Sequence, residues 1–454
     1  MRGYTVQEAA KLLGGTLHGD GSAEITGIVR DNREVTPGAL FAALTGEKVD
    51  GHRYIHAALE AGASCALAKF VPEGESGPVI VVPDVQQALE TLAADYRSKL
   101  KIPVLGVTGS VGKTTAKEMV ASVLGQRFSV LKTPGNFNNQ LGVPMTLSRI
   151  EPEHDFAVIE LGVSHFGDMA PLAEMAKPDA MLITIIGRAH LEFFGDREGV
   201  FQEKTSVLNV MKDGAPVFVN GDDDLLRAMT CRQRKITFGL SEGCDVRAED
   251  VEHLPDGTTK CTVVSGERRI PIHITAYGEP MIYAALEGAA VGMEYGLTDE
   301  EIQTGIAAYA PAGERARVIE AHGFTIVSDC YNANPDSTAA GLRSMRHAEA
   351  KRRVAILGDM GELGEDETKL HFETGKCAAE NDVKLLITCG SLSKHTAAGA
   401  REAGLVNVHS FDTLPEVLEA LPALIERGDR VLVKASHSMQ FEKITAFLEQ
   451  LALR

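Results

Sequence analysis

The sequence has no tryptophan, and aromatic residues make up only 5% of its 454 positions. A platform that stacks the bases of a single strand needs several exposed aromatics, so none is expected. Positive charge is also scarce: 45 Lys and Arg stand against 63 Asp and Glu, for a formal net charge of −18. A general nucleic-acid binder carries a basic face, and this balance argues against one. An anionic substrate must therefore be drawn by a local site, not by the field of the whole chain. No apolar run approaches the roughly 18 residues that a membrane span needs. The segment from Met1 to Glu8, MRGYTVQE, lacks the apolar core of a signal peptide. The seven cysteines, at 65, 231, 244, 261, 330, 377 and 389, include no C-x-x-C pair. An odd, scattered set reads as free thiols in a reduced cytoplasmic protein. Neither a fixed-period repeat nor a low-complexity segment is present.

What is present supports several cores. The length corresponds to two to four domains at roughly 100–200 residues each, and 44% of the residues are hydrophobic. Up to residue 100, short strands such as Leu40–Leu44 and Val79–Val82 lie among helical stretches such as Tyr54–Ala61 and Val85–Leu100. From 101 to 312, strands alternate with helices: Val104–Thr108, Phe156–Leu161, Met181–Ile186 and Val217–Asn220. That alternation predicts a mainly parallel sheet covered on both faces. The stretch Thr237–Ile274 has shorter alternating strands and Gly turns, which predicts an antiparallel extension. Residues 311–316, PAGERA, read as a hinge. A third βα series runs over 313–454, with strands Thr325–Ser328, Arg353–Leu357, Lys384–Thr388 and Arg430–Val433. The expected fold class is α/β with three domains: a smaller N-terminal α/β domain over 1–100, a central P-loop parallel-sheet domain over 101–312, and a C-terminal Rossmann-like domain over 313–454.

The P-loop reading comes from residues 106–115, GVTGSVGKTT. An apolar strand leads in, and Ala116, Met119, Val120, Val123 and Leu124 follow at helical spacing. Strand, glycine loop, Lys-Thr and helix is the phosphate-cradling arrangement. Backbone N–H groups of Thr108, Gly109, Ser110, Val111 and Gly112 can close on phosphate oxygens at a helix start. Lys113 can reach the terminal phosphates, and the hydroxyls of Thr114 and Thr115 follow, with Thr114 placed to hold Mg²⁺. The strict form G-x4-G-K-[ST] would need glycine where Val107 stands, so the match is to the core TGxxGKTT.

Other polar residues sit at predicted strand ends, where ligands of parallel sheets collect. Glu160 lies at the end of the apolar strand Phe156–Leu161 and is a candidate Mg²⁺ ligand; a plain helix-start acceptor is the alternative. His190 follows the strand 181–186, although a lone histidine is more often structural. Asn136, Asn138 and Asn139 in TPGNFNNQLG offer amides to a polar ligand, or simply form a tight turn. In the third series, DCYNANPDS (329–337) and LGDMGELG (357–364) each follow a strand. Singly these are helix caps and turns; together they suggest a site facing another domain. On residues alone, an ATP- or GTP-using kinase, ligase or motor ATPase would all fit.

The order of these motifs resembles the Mur ligase family over nearly the whole chain: TGSVGKTT, GNFNNQLGVP, IELG and AHLE recur in the family's order. DCYNANPDS and LGDMGELG resemble the members that add D-alanyl-D-alanine to UDP-N-acetylmuramoyl-tripeptide. The N-terminal Asp31-Asn32-Arg33, Phe41 to Glu47 and Asp50-Gly51-His52 resemble their uridine-nucleotide domain, although the family usually has Ser at Asn32. The resemblance implies an ATP-dependent ligase of peptidoglycan precursor synthesis that works through an acyl phosphate. It implies Lys113, Lys204 and His190 as catalytic residues, and two Mg²⁺ ions held by Thr114, Glu160 and His190. Lys204 would be the lysine that the family carbamylates. Arg315 and Asp329 would contact ATP from the third domain; Arg33, Asn138, Asn139, Asn332, Asn334 and Asp359 would meet the substrates. The enzyme would be a cytoplasmic monomer with small-molecule substrates and no nucleic acid or membrane partner. A folylpolyglutamate synthase-like ligase and a non-catalytic paralogue are the alternatives. Two departures stand out. Met281 and Ala284 replace asparagines that would contact adenine, which implies weak discrimination of ATP from GTP. Lys434-Ala435-Ser436-His437 replaces the usual KGSR.

Overall fold

The computed structural model describes residues 1–46, 49–311 and 313–452. Glu47 of the N-terminal motif and Ala312 of the hinge lie outside the described residues. Three sheets form in chain order. The first has five strands in the spatial order Thr16–His18, Val79–Val81, Cys65–Ala68, Ala39–Ala42, Gly27–Val29. The second has nine: Arg268–Ile274, Thr259–Ser265, Val246–His253, Arg234–Gly239, Pro216–Asn220, Ala180–Ile183, Val104–Thr108, Phe156–Glu160, Val130–Lys132. The third has six: Arg317–Ala321, Phe324–Ser328, Asp429–Lys434, Arg352–Gly358, Leu385–Cys389, Val408–Phe411. This is the expected mixed α/β class.

Six strands of the central sheet are parallel from Val130–Lys132 to Arg234–Gly239, and Val246–His253 joins them in parallel before two antiparallel partners follow. The antiparallel extension thus starts later than Thr237, because Arg234–Gly239 still pairs in parallel with Pro216–Asn220. Helices on both faces make these strands apolar on both sides. Period two then divides them. Val104, Ala157, Ile159, Met181 and Ile183 enter one core, which continues through the helix Val85–Lys99 into the first sheet at Leu40 and Ile80. Leu105, Val107, Phe156, Val158 and Leu182 enter another, under the helices Lys113–Leu124 and Pro280–Glu294.

The strand Val104–Thr108 is the point where winding reverses: the next two strands in sequence lie on one side of it and Ala180–Ile183 on the other. A crevice opens at such a point. The expected strand 181–186 ends early, at Ile183. Its next residues leave the sheet to hold the P-loop. The third sheet faces this end of the central one. Arg188 meets Asp336 there, and Glu279 pairs with Arg343 at 3.2 Å. The His253 and His347 rings stack with centroids 3.9 Å apart. No helix among the described residues is long and apolar enough to cross a membrane.

Candidate active site

Gly109 has φ +144° and Gly112 φ +86°, a region that glycine enters without strain. At Gly109 there is also no room: a Cβ would lie 2.0 Å from Thr184 Oγ1. Gly112 is the N-cap of Lys113–Leu124 and offers no side-chain cap, so the first-turn N–H groups of the helix stay free for an anion. The loop is tied from beneath. Ser110 N–H donates to the Ile185 carbonyl at 2.8 Å. Ser110 Oγ donates to the Gly187 carbonyl at 3.2 Å and accepts from Gly187 N–H at 2.9 Å. Thr184 Oγ1 donates to the Val111 carbonyl at 2.5 Å, and Thr108 Oγ1 to that of Leu161 at 2.9 Å. A loop fixed at both ends pays little reorganisation on binding.

Lys113 folds back, its Nζ donating to the Gly109 carbonyl at 2.8 Å. Burial pushes its pKa down, and Arg315 adds to that while Glu160 opposes it. Glu160 follows Phe156 and Val158 on the face under this helix, so its carboxylate, 1% exposed, meets the first turn. Thr114 Oγ1 lies 3.1 and 3.2 Å from its two oxygens, and Asn138 Nδ2 donates to it at 2.8 Å. Beneath them Lys117 is wholly buried, 3.5 Å from Glu160 and 3.2 Å from Glu118. It also donates to the carbonyls of Thr133 and Gly135 at 2.8 and 3.0 Å, which fixes the asparagine loop to the P-loop helix. Asn139 accepts from the N–H groups of Leu141 and Gly142 at 3.2 and 2.9 Å, at the start of the helix Gly142–Leu147.

His190 adopts φ +57°, and its Nδ1 bonds the Glu362 carboxylate from the third sheet's side of the cleft. Burial lowers its pKa, with Lys113 and Lys204 adding to the effect and Glu362 opposing it. Lys204 is wholly buried, and its Nζ has no hydrogen-bond partner among the described residues. The Phe194 ring centroid lies 5.9 Å from it. Burial first, then Lys113, holds its pKa well below the ordinary lysine range. Neighbouring Glu203 is already engaged, accepting from Gly167 N–H at 2.9 Å and Met169 N–H at 2.7 Å.

The opposite wall comes from the third sheet. The Arg315 guanidinium stands 3.9 Å over the Tyr331 ring. Asp329 pairs with Lys434 at 2.6 Å, and Lys434 also donates to the Asn332 carbonyl at 3.0 Å. Asn334 caps the helix Pro335–His347, its Oδ1 accepting from Ser337 N–H at 2.8 Å. Asp336 in that first turn reaches across to Arg188, accepting from its backbone N–H at 2.5 Å, Nε at 3.1 Å and Nη2 at 2.9 Å. The two walls enclose a cleft of about 800 Å³, lined by Lys113, Thr114, Asn138, Asn139, Glu160 and His190 on one side and Arg315, Asp329, Asn332 and Asn334 on the other. Lys204 lies behind its wall. Asp359 is turned to the helix Ser393–Glu402, accepting from Ser393 N–H at 2.7 Å and Oγ at 2.6 Å. Arg33 is exposed on the first sheet's surface and pairs with Asp31 at 2.5 Å.

Among the described residues, no group of three or more His, Cys, Asp or Glu is placed to enclose a metal. Thr114 and Glu160 offer adjacent oxygens. Mg²⁺ is held by one or two carboxylates together with substrate phosphates and waters. The donor set therefore fits Mg²⁺ carried with a nucleotide, not an all-protein cage.

Sequence models of three Mur ligase segments match the chain in order: the Mur ligase family catalytic domain at 24–97, the Mur ligase middle domain at 107–292, and the Mur ligase glutamate ligase domain at 314–437. The UDP-N-acetylmuramoyl-tripeptide–D-alanyl-D-alanine ligase of Bacillus subtilis (strain 168) is 34% identical over 448 residues, 97% of each chain. The chain belongs to the Mur ligase family. MurF from Acinetobacter baumannii superposes with a TM-score of 0.89 at 28% identity, covering 99% of both chains. MurF from Thermotoga maritima, solved in complex with ADP, gives 0.82 at 26% identity, covering 95% of this chain and 98% of that one.

Several working parts of this Mur ligase were not visible in its sequence. Lys117 reads as an ordinary helix lysine, and only the fold puts it under Glu160. Arg188 and Asp336 are far apart in sequence, and their pairing becomes evident only when the two sheets face each other. Lys434 offered a signal, since it ends an apolar strand as Glu160 does.

Proposed function

We propose that this Mur ligase joins D-alanyl-D-alanine to UDP-N-acetylmuramoyl-tripeptide with hydrolysis of ATP to ADP and phosphate. The C-terminal carboxylate of the tripeptide attacks the γ-phosphorus of ATP, and ADP leaves. The amine of D-alanyl-D-alanine then attacks the carbonyl of the acyl phosphate, and phosphate leaves as the amide forms. Lys113 would move from the Gly109 carbonyl to the phosphates, where their charge offsets its burial. Mg²⁺ held at Thr114 and Glu160, with a second ion at His190, would supply further positive charge to the transferring group. Carbamylation of Lys204 would turn its unpartnered amine into an anion beside these cations.

The observation that carries this reading is the two-sided cleft. The P-loop, Thr114 and Glu160 stand on one wall, with Arg315 and the Asp329–Lys434 pair on the other. An acyl phosphate must be kept from water until the amine arrives, and a cleft between two units can close to do this. We assign residues 1–100, with Arg33, to the uridine-nucleotide end of the substrate. Residues 101–312, with Asn138 and Asn139, would hold ATP and the peptide carboxylate. Residues 313–454 would take the incoming dipeptide near Asn332, Asn334 and Asp359. The seven free cysteines accord with a cytoplasmic enzyme, and we take it to act as a monomer. The test is phosphate release from ATP with UDP-N-acetylmuramoyl-tripeptide, with and without D-alanyl-D-alanine, together with the mass of the product. Release should require both acceptor and donor. Equal release without the dipeptide, or with a single amino acid in its place, would sink the reading.

A further inference from the structure

The helix Pro280–Glu294 is buried at Met281 and Ile282 and at every position from Ala284 to Gly292. Glu287 is the one ionisable residue in that run. It is 4% exposed, and neither a hydrogen bond nor an ion pair engages its carboxyl group among the described residues. Pro280, Met281, Tyr283, Ala284 and Glu287 line the cleft. Their spacing puts Tyr283, Ala284 and Glu287 on one helix face. The next residue, Gly288, lies against the P-loop helix, where a Cβ would stand 3.0 Å from Val123 and 3.1 Å from Met119. Glu287 therefore faces the cleft beside the phosphate-binding helix.

The polar groups around it are already committed. Tyr283 Oη donates to Asp222 at 2.9 Å, and Asp222 also accepts from the N–H groups of Leu240 and Ser241 at 2.6 and 3.0 Å. Glu287 alone on this helix face brings a carboxyl group with no partner among the described residues, and buried polar groups are as a rule hydrogen-bonded, so its place in the cleft lining leaves it open to a ligand. Burial by itself raises its pKa well above the carboxylate range. A protonated carboxyl presents one donor and one acceptor side by side. Adenine offers the complement at its 6-amino group and the adjoining ring nitrogen. Guanine offers it in reverse, at O6 and N1–H, and the carboxyl proton can sit on either oxygen. Met281 and Ala284 on the same face supply an apolar wall for a flat ring.

We propose that Glu287 is a base-reading residue, its carboxyl group pairing with the 6-substituent and the adjoining ring nitrogen of the purine whose phosphates Lys113 holds. This rests on the nucleotide-dependent reading above. It makes the site attentive to a 6-substituent while leaving adenine and guanine poorly separated.

The experiment measures binding of ADP, GDP and purine riboside diphosphate, which lacks the 6-substituent, to the full chain by calorimetry. The chain is used unaltered and with Glu287→Met and Glu287→Gln; both replacements keep the side-chain length, and circular dichroism verifies folding. The unaltered chain should bind ADP about 10–100-fold more tightly than the purine analogue, as expected when one buried polar group is left unpaired. Glu287→Met should reduce that ratio to within about threefold, and Glu287→Gln should largely keep it, because an amide offers the same donor and acceptor. GDP should stay within about tenfold of ADP in the unaltered chain. ADP binding with the same ratio in Glu287→Met, or no ratio in the unaltered chain, overturns the proposal alone. No ADP binding by the unaltered chain overturns the ligase reading with it.

Discussion

Replacing Lys204 with methionine should make the protein more stable and its turnover far slower. The amine of Lys204 is wholly buried and has no hydrogen-bond partner among the described residues. Glu203 spends its two oxygens on the backbone N–H groups of Gly167 and Met169. Leaving a buried polar group unpaired costs about 1–3 kcal/mol. Methionine matches the length of the lysine stem, brings no donor, and opens little cavity. Its helix propensity is close to that of lysine. A gain of about 1–3 kcal/mol should therefore appear. The sign with pH follows from the depressed pKa of Lys204, lowered by burial and by Lys113. Below the unfolded value of about 10.4, the unfolded chain binds a proton that the folded chain resists. Stability should thus rise with pH over that window and level off above it, and the methionine variant should lose this slope. Urea titrations of both proteins in CO₂-depleted buffer across that range measure the slope, and phosphate release measures turnover. A variant less stable by more than about 1 kcal/mol would mean that the amine has a partner the geometry misses. Unchanged turnover would remove Lys204 from the chemistry, and partial rescue by a short carboxylic acid would place an anion there.

Lys113→Ala should slow phosphate release by about 10²–10³-fold with circular dichroism unchanged, since its bond to the Gly109 carbonyl holds no element together. Gly109→Ala should lower the denaturation midpoint by the equivalent of about 1–3 kcal/mol and weaken ADP binding, because its Cβ would lie 2.0 Å from Thr184 Oγ1; an unchanged midpoint would show that the loop yields. The stacked His253 and His347 join the central and third sheets, and burial, with His347, lowers the pKa of His253 while Glu279 opposes. That contact is intact above the unfolded histidine value of about 6.5 and weakens as pH falls through the lower folded one; small-angle scattering should show opening in acid for the unaltered chain and none for His253→Phe.

The glycine-loop wall of the cleft was legible because its geometry is local. Glycines at 109 and 112, a lysine at a helix start and an acid at a strand end are set by short-range geometry, and period two alone turns Glu160 toward Thr114. The edges were less legible. Val130–Lys132, Arg317–Ala321 and Val408–Phe411 are half-exposed edge strands, so they lack the long apolar runs that mark a strand buried on both faces. The expected strand over 181–186 ran three residues too far for a related reason: Thr184 and Ile185 are apolar enough to continue it, but their hydrogen bonds go to the P-loop. Lys204 gave no local sign at all. A lysine near the end of the helix Arg197–Thr205 reads as solvated, and only the packing of Phe194 and the neighbouring turns buries it. Asn334 illustrates the opposite case, where a cap and a ligand-facing group coincide: its side chain caps a helix while its residue lines the cleft.

A chain with a net charge of −18 must gather cations at this cleft and still leave some of them free to move. The structure divides them by partner. Lys117 is held by Glu160 and Glu118, Arg188 by Asp336, and Lys434 by Asp329. Pulling any of these onto a phosphate would strand a carboxylate, and a charge left unpaired in a partly buried place is expensive. Lys113 rests on a neutral carbonyl and Arg315 on an aromatic face. These two can exchange their partners for phosphate oxygens without leaving an anion behind. The first group therefore fixes the walls and sets the potential that an anion meets, while Lys113 and Arg315, one from each wall, would be the cations free to follow a bound anion. A negatively charged nucleotide bridging that pair would draw the two walls together, so that closure comes from the same charges that bind the phosphates.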